Sequence, residues 1–420
     1  MNFVLYEDSK YENLVPIVFL RPVYELKCGH TLLREKIERM VGRTCDLFFM
    51  RDYLAPVFSK KFGVDKVNQI QALKGDDALL VNGRLLAIET SLNVDGPEEI
   101  AFSGEQIVFA RLKKATIAAL AFNTPEELLN QVADLLPKRQ IEATMINFPW
   151  NLVQNNSRAI VNDFDHLPQK GIHGNLSPQA AIIGNKDLIY MAPGSVVHPF
   201  AVLDASRGPI LFDKNVVIHP YTHIEGPNSI GEKSQAFGGN IREGCSIGPV
   251  CRVHGEIEES IIHGYSNKHH DGFLGHAYVG EWVNLGAFTT NSDLKNDYTT
   301  VQLYLNGELV DSGDMKVGSF IGDHTKTSIG TLLSTGSMVG IMSNIIHAGE
   351  LTKKYVPSFT WFLNNRATKG FGFHHMISTA ARAMERRGVT LTAEDEKMLE
   401  TVFEMTQADR KYWIKKGFQS

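Results

Sequence analysis

The sequence predicts an α/β domain followed by a parallel β-helix, with a helical segment at the end. The β-helix is indicated by apolar residues that recur every six positions between about 212 and 346. One series is Phe212, Ile218, Ile224, Ile230 and Ala236, and another is Ile321, Thr327, Leu333, Val339 and Ile345. This period fits neither an amphipathic helix nor an alternating strand, and it is typical of hexapeptide repeats. A β-sandwich with regular turns is the alternative, but it would not keep one phase over so many steps.

The first part of the chain alternates predicted strands with predicted helices, which is typical of an α/β domain with a mainly parallel sheet. Short apolar stretches predict buried strands at residues 2–6, 45–50 and 77–82. A helix is expected to begin at Pro125, because proline is favoured at the first helical position. The stretch 166–179 is rich in Gly, Pro, Asn and Ser and predicts a linker. We therefore place the first domain at residues 1–175.

The second part, residues 176–365, is assigned to the β-helix. Residues near 299–314 interrupt the repeat and predict a hairpin with an Asn306-Gly307 turn. Residues 366–420 predict helices, one of them stopped by Gly388. We expect these helices to cover the open end of the coil or to contact another subunit, and no catalytic role is predicted for them.

Composition narrows the classes of function. The chain has 420 residues, 43% hydrophobic and 21% charged, which is ordinary for a soluble globular protein. A net charge of −5 argues against a general nucleic-acid binder. The four cysteines match no zinc, redox or disulfide spacing. The N-terminus is charged and no apolar run is long enough to span a bilayer, so we expect a cytoplasmic protein without a membrane partner.

Two positions in the first domain are candidates for phosphate or nucleotide binding, because parallel sheets bind ligands beyond the carboxyl ends of their strands. Arg21 follows an apolar stretch, and its planar guanidinium suits a phosphate. A surface arginine on a turn is an equally good reading. Asn82 ends a predicted strand, although an ordinary turn at Asn82-Gly83 is the simpler interpretation.

The densest polar cluster of the chain lies at residues 264–298. Its candidates for ligand contact are Tyr265, Lys268, His269, His270, Asp271, His276, Asn284 and Asn291. Polar groups that converge on a groove orient small ligands. A histidine titrates near neutral pH and could serve as the base of an acyl transfer. A solvated loop or a metal-binding patch would use the same residue types, and the sequence identifies no metal ligands.

Motifs in the second half resemble those of the sugar-1-phosphate nucleotidyltransferases with a hexapeptide-repeat domain. The matching segments are residues 266–276 and 283–289. They are similar to the bifunctional N-acetylglucosamine-1-phosphate uridyltransferase/glucosamine-1-phosphate acetyltransferase family, and more so to a related branch of sugar nucleotidyltransferases. The resemblance implies a nucleotidyltransferase-like α/β domain and a left-handed β-helix. It also implies that His270 is the acetyl-transfer base and that Asn284 and Asn291 bind sugar.

The chain departs from that family at four places. No glycine stands in residues 5–12, where the family has a phosphate-binding loop, and no carboxylate stands at the Asn82 turn. Phe273 replaces a phosphate-binding tyrosine, and Glu258 replaces a lysine. Positive charge for a sugar phosphate would then come from Lys268 or Arg242. A second polar patch, residues 323–327, could line the same groove or lie on the surface.

The resemblance leads us to expect a transferase of sugar-phosphate or nucleotide-sugar substrates. Its reactions would be sugar-1-phosphate nucleotidyl transfer with Mg²⁺, amino-sugar N-acetylation with acetyl-CoA, or both. The relatives build sites between neighbouring coils, which implies a homotrimer. The alternative is a binding or regulatory protein that keeps both folds without catalysis.

Overall fold

The computed structural model describes residues 1–89, 92 and 94–417, and the chain divides into two compact units. The first unit contains residues 1–14, 20–26 and 31–148. The second contains residues 15–19, residues 27–30 and the chain from residue 149 onwards. The fold class predicted from the sequence is confirmed: an α/β domain, a parallel β-helix and C-terminal helices follow one another along the chain.

The first unit is built on a six-stranded sheet. Its strands are β1 (Asn2–Tyr6), β2 (Leu47–Phe49), β3 (Ala78–Asn82), β4 (Glu99–Ser103), β5 (Gln106–Leu112) and β6 (Lys138–Gln140). They are ordered β2-β1-β3-β5-β4-β6. β1 is parallel to β2 and β3, and β4 is parallel to β6, while β5 is antiparallel to both of its neighbours. The sheet is therefore mainly parallel, with one reversed strand.

Five helices surround this sheet. They are α1 (Leu33–Val41), α2 (Ala55–Phe62), α3 (Ile70–Lys74), α4 (Lys114–Ala118) and α5 (Pro125–Val132). α5 begins where the sequence predicted, because the Thr124 hydroxyl accepts a hydrogen bond from the Glu127 amide at 3.2 Å. Leu128 and Leu129 of this helix pack with Val4 and Leu80 of the sheet in one buried cluster.

The β-helix has three faces of parallel strands. The first face contains Asn175–Leu176, Val196–Val197, Val217–Ile218, Gln235–Ala236, Arg252–Val253, Asn267–Lys268, Lys326–Thr327, Asn344–Ile346 and Trp361–Leu363. The second contains Ala181–Gly184, Val202–Ala205, Thr222–Glu225, Gly239–Ile241, Glu256–Glu258, Phe273–Gly275, Thr290–Asn291 and Leu332–Leu333. The third contains Ile189–Met191, Ile210–Phe212, Asn228–Ile230, Cys245–Ile247, Ile261–Gly264, Tyr278–Glu281, Phe320–Ile321, Met338–Val339 and Tyr355–Val356.

Apolar side chains stack inside the coil because equivalent residues of successive strands pair in register. On the third face the inward row is Phe212, Ile230, Ile247, Ile262, Val279, Ile321, Val339 and Val356. All of them are buried in one continuous cluster. Burial of each such side chain contributes about 1.5–3 kcal/mol, which makes the repeat itself the source of stability.

Two helices that the sequence assigned to the first domain pack on the third face instead. They are α6 (Pro149–Gln154) and α7 (Asn156–Asp165). Ile160 and Phe164 bury against Leu211, and the Asn156 amide donates to the Gly244 carbonyl oxygen at 2.8 Å. The continuous part of the second compact unit therefore begins at residue 149, within the stretch that the sequence assigned to the first domain.

The interruption of the repeat is a hairpin of Gln302–Leu305 with Glu308–Asp311, turned at Asn306 and Gly307 with φ of 50° and 90°. After the last coil, Arg366–Thr368 pairs antiparallel with the first face. The helices α8 (Phe373–Glu385), α9 (Ala393–Met405) and α10 (Gln407–Gly417) follow. Trp413 and Ile414 of α10 pack against the interior cluster. None of the helices in the described part of the chain is long and apolar enough to cross a membrane.

Candidate functional site

A row of outward-facing polar side chains runs along the first face. Pairing in register places Gln235, Arg252, Asn267, Asn284, Lys326 and Asn344 in consecutive coils. We call this the outward row. Lys326 belongs to the second polar patch of the sequence, and the row places it next to Asn284 of the first patch. The two patches therefore form one surface.

Two adjoining cavities open along the outward row. The larger, about 560 Å³, is lined by Phe237, Arg252, Asn267, His269, His270, Asn284, Leu285, Gly286, Ala287, Ile329, Arg386 and Arg387. The smaller, about 290 Å³, is lined by Tyr265, Asn267, Trp282, Val283, Asn284, Lys326, Thr379, Arg382, Ala383, Arg386 and Arg387. Asn267, Asn284, Arg386 and Arg387 line both. We call the two cavities together the groove.

Gly286 lines the larger cavity and lies directly against the next coil. A Cβ atom at this position would lie 2.6 Å from the main-chain carbon of Ser328, which is closer than atoms can approach. The Gly286 amide donates to the Thr327 hydroxyl at 2.9 Å. Only glycine fits here without a shift of the coil that carries Ser328.

His270 is exposed and lines the larger cavity, as a base that acts on a ligand must. His269 stacks on Phe237 with ring centroids 4.4 Å apart. Burial lowers the pKa of His269, and the nearby His270, His254, Arg252 and Arg387 lower it further. Asp271 does not orient His270. Its carboxylate lies 3.0 Å from Nε2 of His254.

Three further candidates from the sequence lie away from the groove. Lys268 points inward, paired with Val253, and is 2% exposed. Asn291 is also 2% exposed, and its amide forms hydrogen bonds of 2.8 and 2.9 Å with the Gly275 main chain. Arg242 forms an ion pair of 2.7 Å with Glu258. The expectation that these residues contact substrate is thus at odds with their positions, because strand register turns the first two into the coil and Arg242 is engaged by a carboxylate.

Tyr265 does reach the groove, where it forms part of an aromatic surface. Its ring stacks on Trp282 at 4.3 Å between centroids, and Trp282 in turn lies over His324 at 6.1 Å. Tyr265 and Trp282 line the smaller cavity. Planar groups of a ligand could stack there, since aromatic faces pair in an offset geometry at such distances.

The end of helix α8 and the two residues that follow it contribute positive charge that the sequence analysis missed. Arg382, Arg386 and Arg387 line the groove beside Lys326 and Arg252. Within the described residues, none of these five side chains forms an ion pair with a carboxylate. Burial, followed by the nearby Arg387, lowers the pKa of Arg252, and burial lowers the pKa of Lys326 to about 8. In a chain with a net charge of −5, this concentration of cations indicates an anionic ligand.

A sequence signal for that contribution existed. The three arginines recur at spacings of four and one just before Gly388, so they lie at the C-terminal end of one helix. Their position near a helix end also suited a simple interaction with the helix dipole. The sequence did not show which surface the end of this helix contacts, because that depends on packing against coils about a hundred residues earlier.

The first unit has a buried polar network at the carboxyl ends of β1 and β3. Arg84 is 1% exposed and donates to both carboxylate oxygens of Asp8, at 2.8 and 2.6 Å. The Asn82 side chain donates to Asp8 at 2.8 Å. The expectation of no carboxylate at this turn is corrected, because Asp8 supplies one from the loop after β1. Asn82 is used inside the network, and Arg21 is buried with its carbonyl oxygen accepting from Arg51 at 2.7 Å.

The same network bears on the Mg²⁺ that nucleotidyl transfer would require. A magnesium site uses carboxylates together with substrate phosphates. Both oxygens of Asp8 are engaged by Arg84, and Glu7 is paired with Arg51 at 2.6 Å. Within the described residues, no group of three or more His, Cys, Asp or Glu side chains is arranged to hold a metal ion. These residues, as placed, do not fit a Mg²⁺ site.

Comparison with known proteins finds similarity to sugar nucleotidyl transferases. Residues 3–171 match the family model described as "Sugar nucleotidyl transferase". The bifunctional sugar-1-phosphate nucleotidylyltransferase/acetyltransferase of Sulfurisphaera tokodaii is 31% identical over 202 residues, which is 48% of this chain and 44% of that protein. The bifunctional protein GlmU of Nitratidesulfovibrio vulgaris (strain DP4) is 26% identical over 200 residues, 42% of this chain and 40% of its own.

The chain therefore spans less than half the length of these curated relatives in each match. A solved UDP-N-acetylglucosamine acyltransferase is 15% identical with a TM-score of 0.24, covering 56% of this chain and 88% of its own, and a score this low supports no conclusion. The resemblance stated from the sequence motifs is confirmed. The chain is similar to a bifunctional sugar-1-phosphate nucleotidylyltransferase/acetyltransferase, and its residues 3–171, ahead of the β-helix, match the sugar nucleotidyl transferase model.

Proposed function

We propose that the protein is a transferase whose β-helix groove moves an acetyl group from acetyl-CoA to the amino group of a sugar phosphate. One observation carries the proposal: His270 and Asn284 open on the same groove as Arg386 and Arg387, which form no ion pair with a carboxylate within the described residues. A base, an amide donor and an anion-binding surface are the parts that this reaction needs.

The chemistry assigns a role to each part. The amine of the sugar attacks the thioester carbonyl, so a C–N bond forms and the C–S bond breaks. His270 takes the proton that the amine loses and returns it to the departing thiolate of coenzyme A. Asn284 lines the same cavity and would bind the sugar phosphate, while main-chain amides would stabilise the oxyanion of the intermediate.

The cations explain how such substrates would be held. Sugar phosphates and coenzyme A both carry phosphate groups, and guanidinium groups match phosphate oxygens in pairs. Arg252, Arg386 and Arg387 border the cavity that contains His270. The aromatic surface of Tyr265 and Trp282 lies beyond them and could pack against a planar group.

A turnover assay tests this proposal. The full chain is incubated with glucosamine 1-phosphate and acetyl-CoA, and release of free thiol is followed. His270→Ala should lower kcat by about 10²- to 10⁴-fold, the usual contribution of a general base. His198→Ala is the matched control, because His198 is on the same face but outside the groove, and it should keep wild-type turnover. Equal activity of His270→Ala and wild type would remove His270 from the reaction.

A second activity is favoured by the family match over residues 3–171. Nucleotidyl transfer from a nucleoside triphosphate to a sugar 1-phosphate would release pyrophosphate, and the related enzymes suggest Mg²⁺ for it. The glycine-free loop at residues 5–12 and the Asp8–Arg84 pair weigh against it. Pyrophosphate release measured with and without Mg²⁺ decides. If neither assay shows turnover, the chain is a binding or regulatory protein on these folds.

We also propose that the chain assembles as a homotrimer, as the resemblance implies. The relatives build their sites between coils of neighbouring subunits. In a homotrimer of this chain, a neighbouring subunit would complete the groove in the same manner. Light scattering of the purified full chain should give three times the 46.8 kDa mass. A monomer at that measurement would contradict the proposal and would leave the groove as a site within one subunit.

A further inference from the structure

The smaller cavity contains a chain of side-chain hydrogen bonds with a fixed direction. Nη2 of Arg387 donates to Oδ1 of Asn267 at 3.0 Å, and Nδ2 of Asn267 donates to Oδ1 of Asn284 at 3.2 Å. A guanidinium group can only donate, so Asn267 must turn its oxygen towards Arg387. The NH₂ group of Asn267 then faces Asn284, whose side-chain oxygen must accept this hydrogen bond. The group that Asn284 has left for a ligand is its NH₂.

The charged groups around this cavity are donors as well. Lys326, Arg382 and Arg386 line it, and ammonium and guanidinium groups carry no acceptor. Nζ of Lys326 has one protein partner in the described structure, the carbonyl oxygen of His324 at 2.9 Å. The cavity therefore offers a ligand several N–H groups from separate elements, two coils and one helix.

Stabilisation of the helix end does not account for this convergence. Arg386 and Arg387 follow α8, which ends where Gly388 adopts a φ of 71°, and cations at such an end interact favourably with the helix dipole. That interaction needs no contact with the coil. Here the same arginines line one cavity with Asn267 and Asn284 of the outward row. Arg387 is also hydrogen-bonded to Asn267.

We propose that the smaller cavity is a phosphate subsite whose charged groups are all donors, in which Arg387 and Asn267 are positioning residues that hold the Asn284 NH₂ group towards the ligand. A phosphoryl group suits it because its oxygens accept several hydrogen bonds and its charge matches the guanidinium groups. The identity of the substrate that carries the phosphate rests on the proposed function. Phosphate binding itself does not depend on turnover.

Titration of the full chain with inorganic phosphate, by calorimetry at constant ionic strength, tests the subsite. In Asn267→Asp the carboxylate accepts from Arg387 and also from the Asn284 NH₂ group. Asn284 would then turn its oxygen to the ligand. Loss of one charge-assisted hydrogen bond predicts phosphate binding weaker by about 10- to 100-fold. Asn284→Leu removes the same donor without a change of charge and should show a similar loss.

Gln235→Asp is the matched control for charge, because Gln235 lies in the outward row two coils before Asn267 and outside both cavities. It should change phosphate affinity less than threefold. Equal losses in Asn267→Asp and Gln235→Asp would overturn the positioning role, since net charge alone would then explain both. Absence of saturable phosphate binding to the wild type would overturn the subsite.

The two proposals fail in distinguishable ways. Phosphate binding that persists while no acetyl transfer is found overturns the proposed function and supports the subsite. If the wild type transfers acetyl groups and Asn284→Leu changes neither turnover nor phosphate affinity, the subsite is overturned. Thermal melting of each variant shows whether the fold is retained, and Asn284→Leu, on the exposed row, replaces no buried group.

Discussion

Lys268 holds the main chain of His270 from inside the β-helix. Its Nζ donates to the carbonyl oxygen of His270 and, at 3.1 Å, to that of His254. Room for the ammonium group exists because residue 255 is glycine, whose Cβ would lie 2.9 Å from Nζ. A lysine in a row otherwise filled by residues such as Ala236, Val253 and Leu285 therefore acts on the groove without lining it.

Replacing Lys268 by methionine should destabilise the protein and disturb the groove. Methionine fills similar volume but leaves two carbonyl oxygens without this donor, which costs about 1–3 kcal/mol. Urea unfolding measures the loss. We also expect kcat for acetyl transfer to fall while KM changes little, because the His270 main chain loses its anchor. Unchanged stability and turnover would show that the two hydrogen bonds are dispensable.

The same lysine predicts a pH dependence of stability. Burial lowers the pKa of Lys268 from the ordinary 10.5 to about 8, with Asp271 opposing the shift. Between these values the unfolded chain binds more protons than the folded chain, so the contribution of Lys268 to stability rises with pH. The unfolding free energy of the wild type minus that of Lys268→Met should thus increase from about pH 7.5 to pH 10. The pKa of Lys326 is also lowered to about 8, but Lys326 is present in both proteins, so its contribution cancels in this difference. A constant difference would contradict the prediction.

Breaking the buried network of the first unit should be costly. Arg84→Met leaves the Asp8 carboxylate buried without its partner, which predicts a loss of about 3–5 kcal/mol. Lys138→Met is the control in the same unit, because the Lys138–Asp134 pair of 2.8 Å is exposed and worth less than about 1 kcal/mol. Urea unfolding compares the two variants, and similar losses would mean that Asp8 is compensated by other groups.

A side chain at residue 286 should displace the neighbouring coil and thereby impair the groove. In Gly286→Ala the new methyl group meets Ser328 at 2.6 Å, and such overpacking costs about 1–3 kcal/mol. Gly264→Ala is the control, because its nearest contact would be an ordinary 3.4 Å from Pro249. We expect acetyl transfer to fall in the first variant and to persist in the second. Thermal melting and turnover are the two measurements.

The sequence predicted the scaffold better than the site. The six-residue repeat identified the coil because apolar side chains such as Ile230 and Ile247 alternate with outward residues in a fixed register. The candidates His270 and Asn284 came from the resemblance of residues 266–276 and 283–289 to a known family, and their roles remain predictions. The repeat could not tell that Lys268 and Asn291 point inward, since both are polar and direction depends on which strand each one pairs with. The contact of Arg387 with the groove could not be predicted for another reason. The docking of α8 depends on packing between distant parts of the chain.

The outward row also fixes a length. Neighbouring strands of a sheet lie about 4.8 Å apart, so the three steps from Arg252 to Lys326 span about 14 Å. The hairpin at residues 302–311 lies between Asn284 and Lys326 in the sequence, yet the two remain neighbours in the row. A change in the length of that excursion would leave the distance between ligand contacts as it is. The backbone pitch thus sets which spacing of polar groups a ligand must have, and side-chain substitutions along the row alter only what each contact recognises.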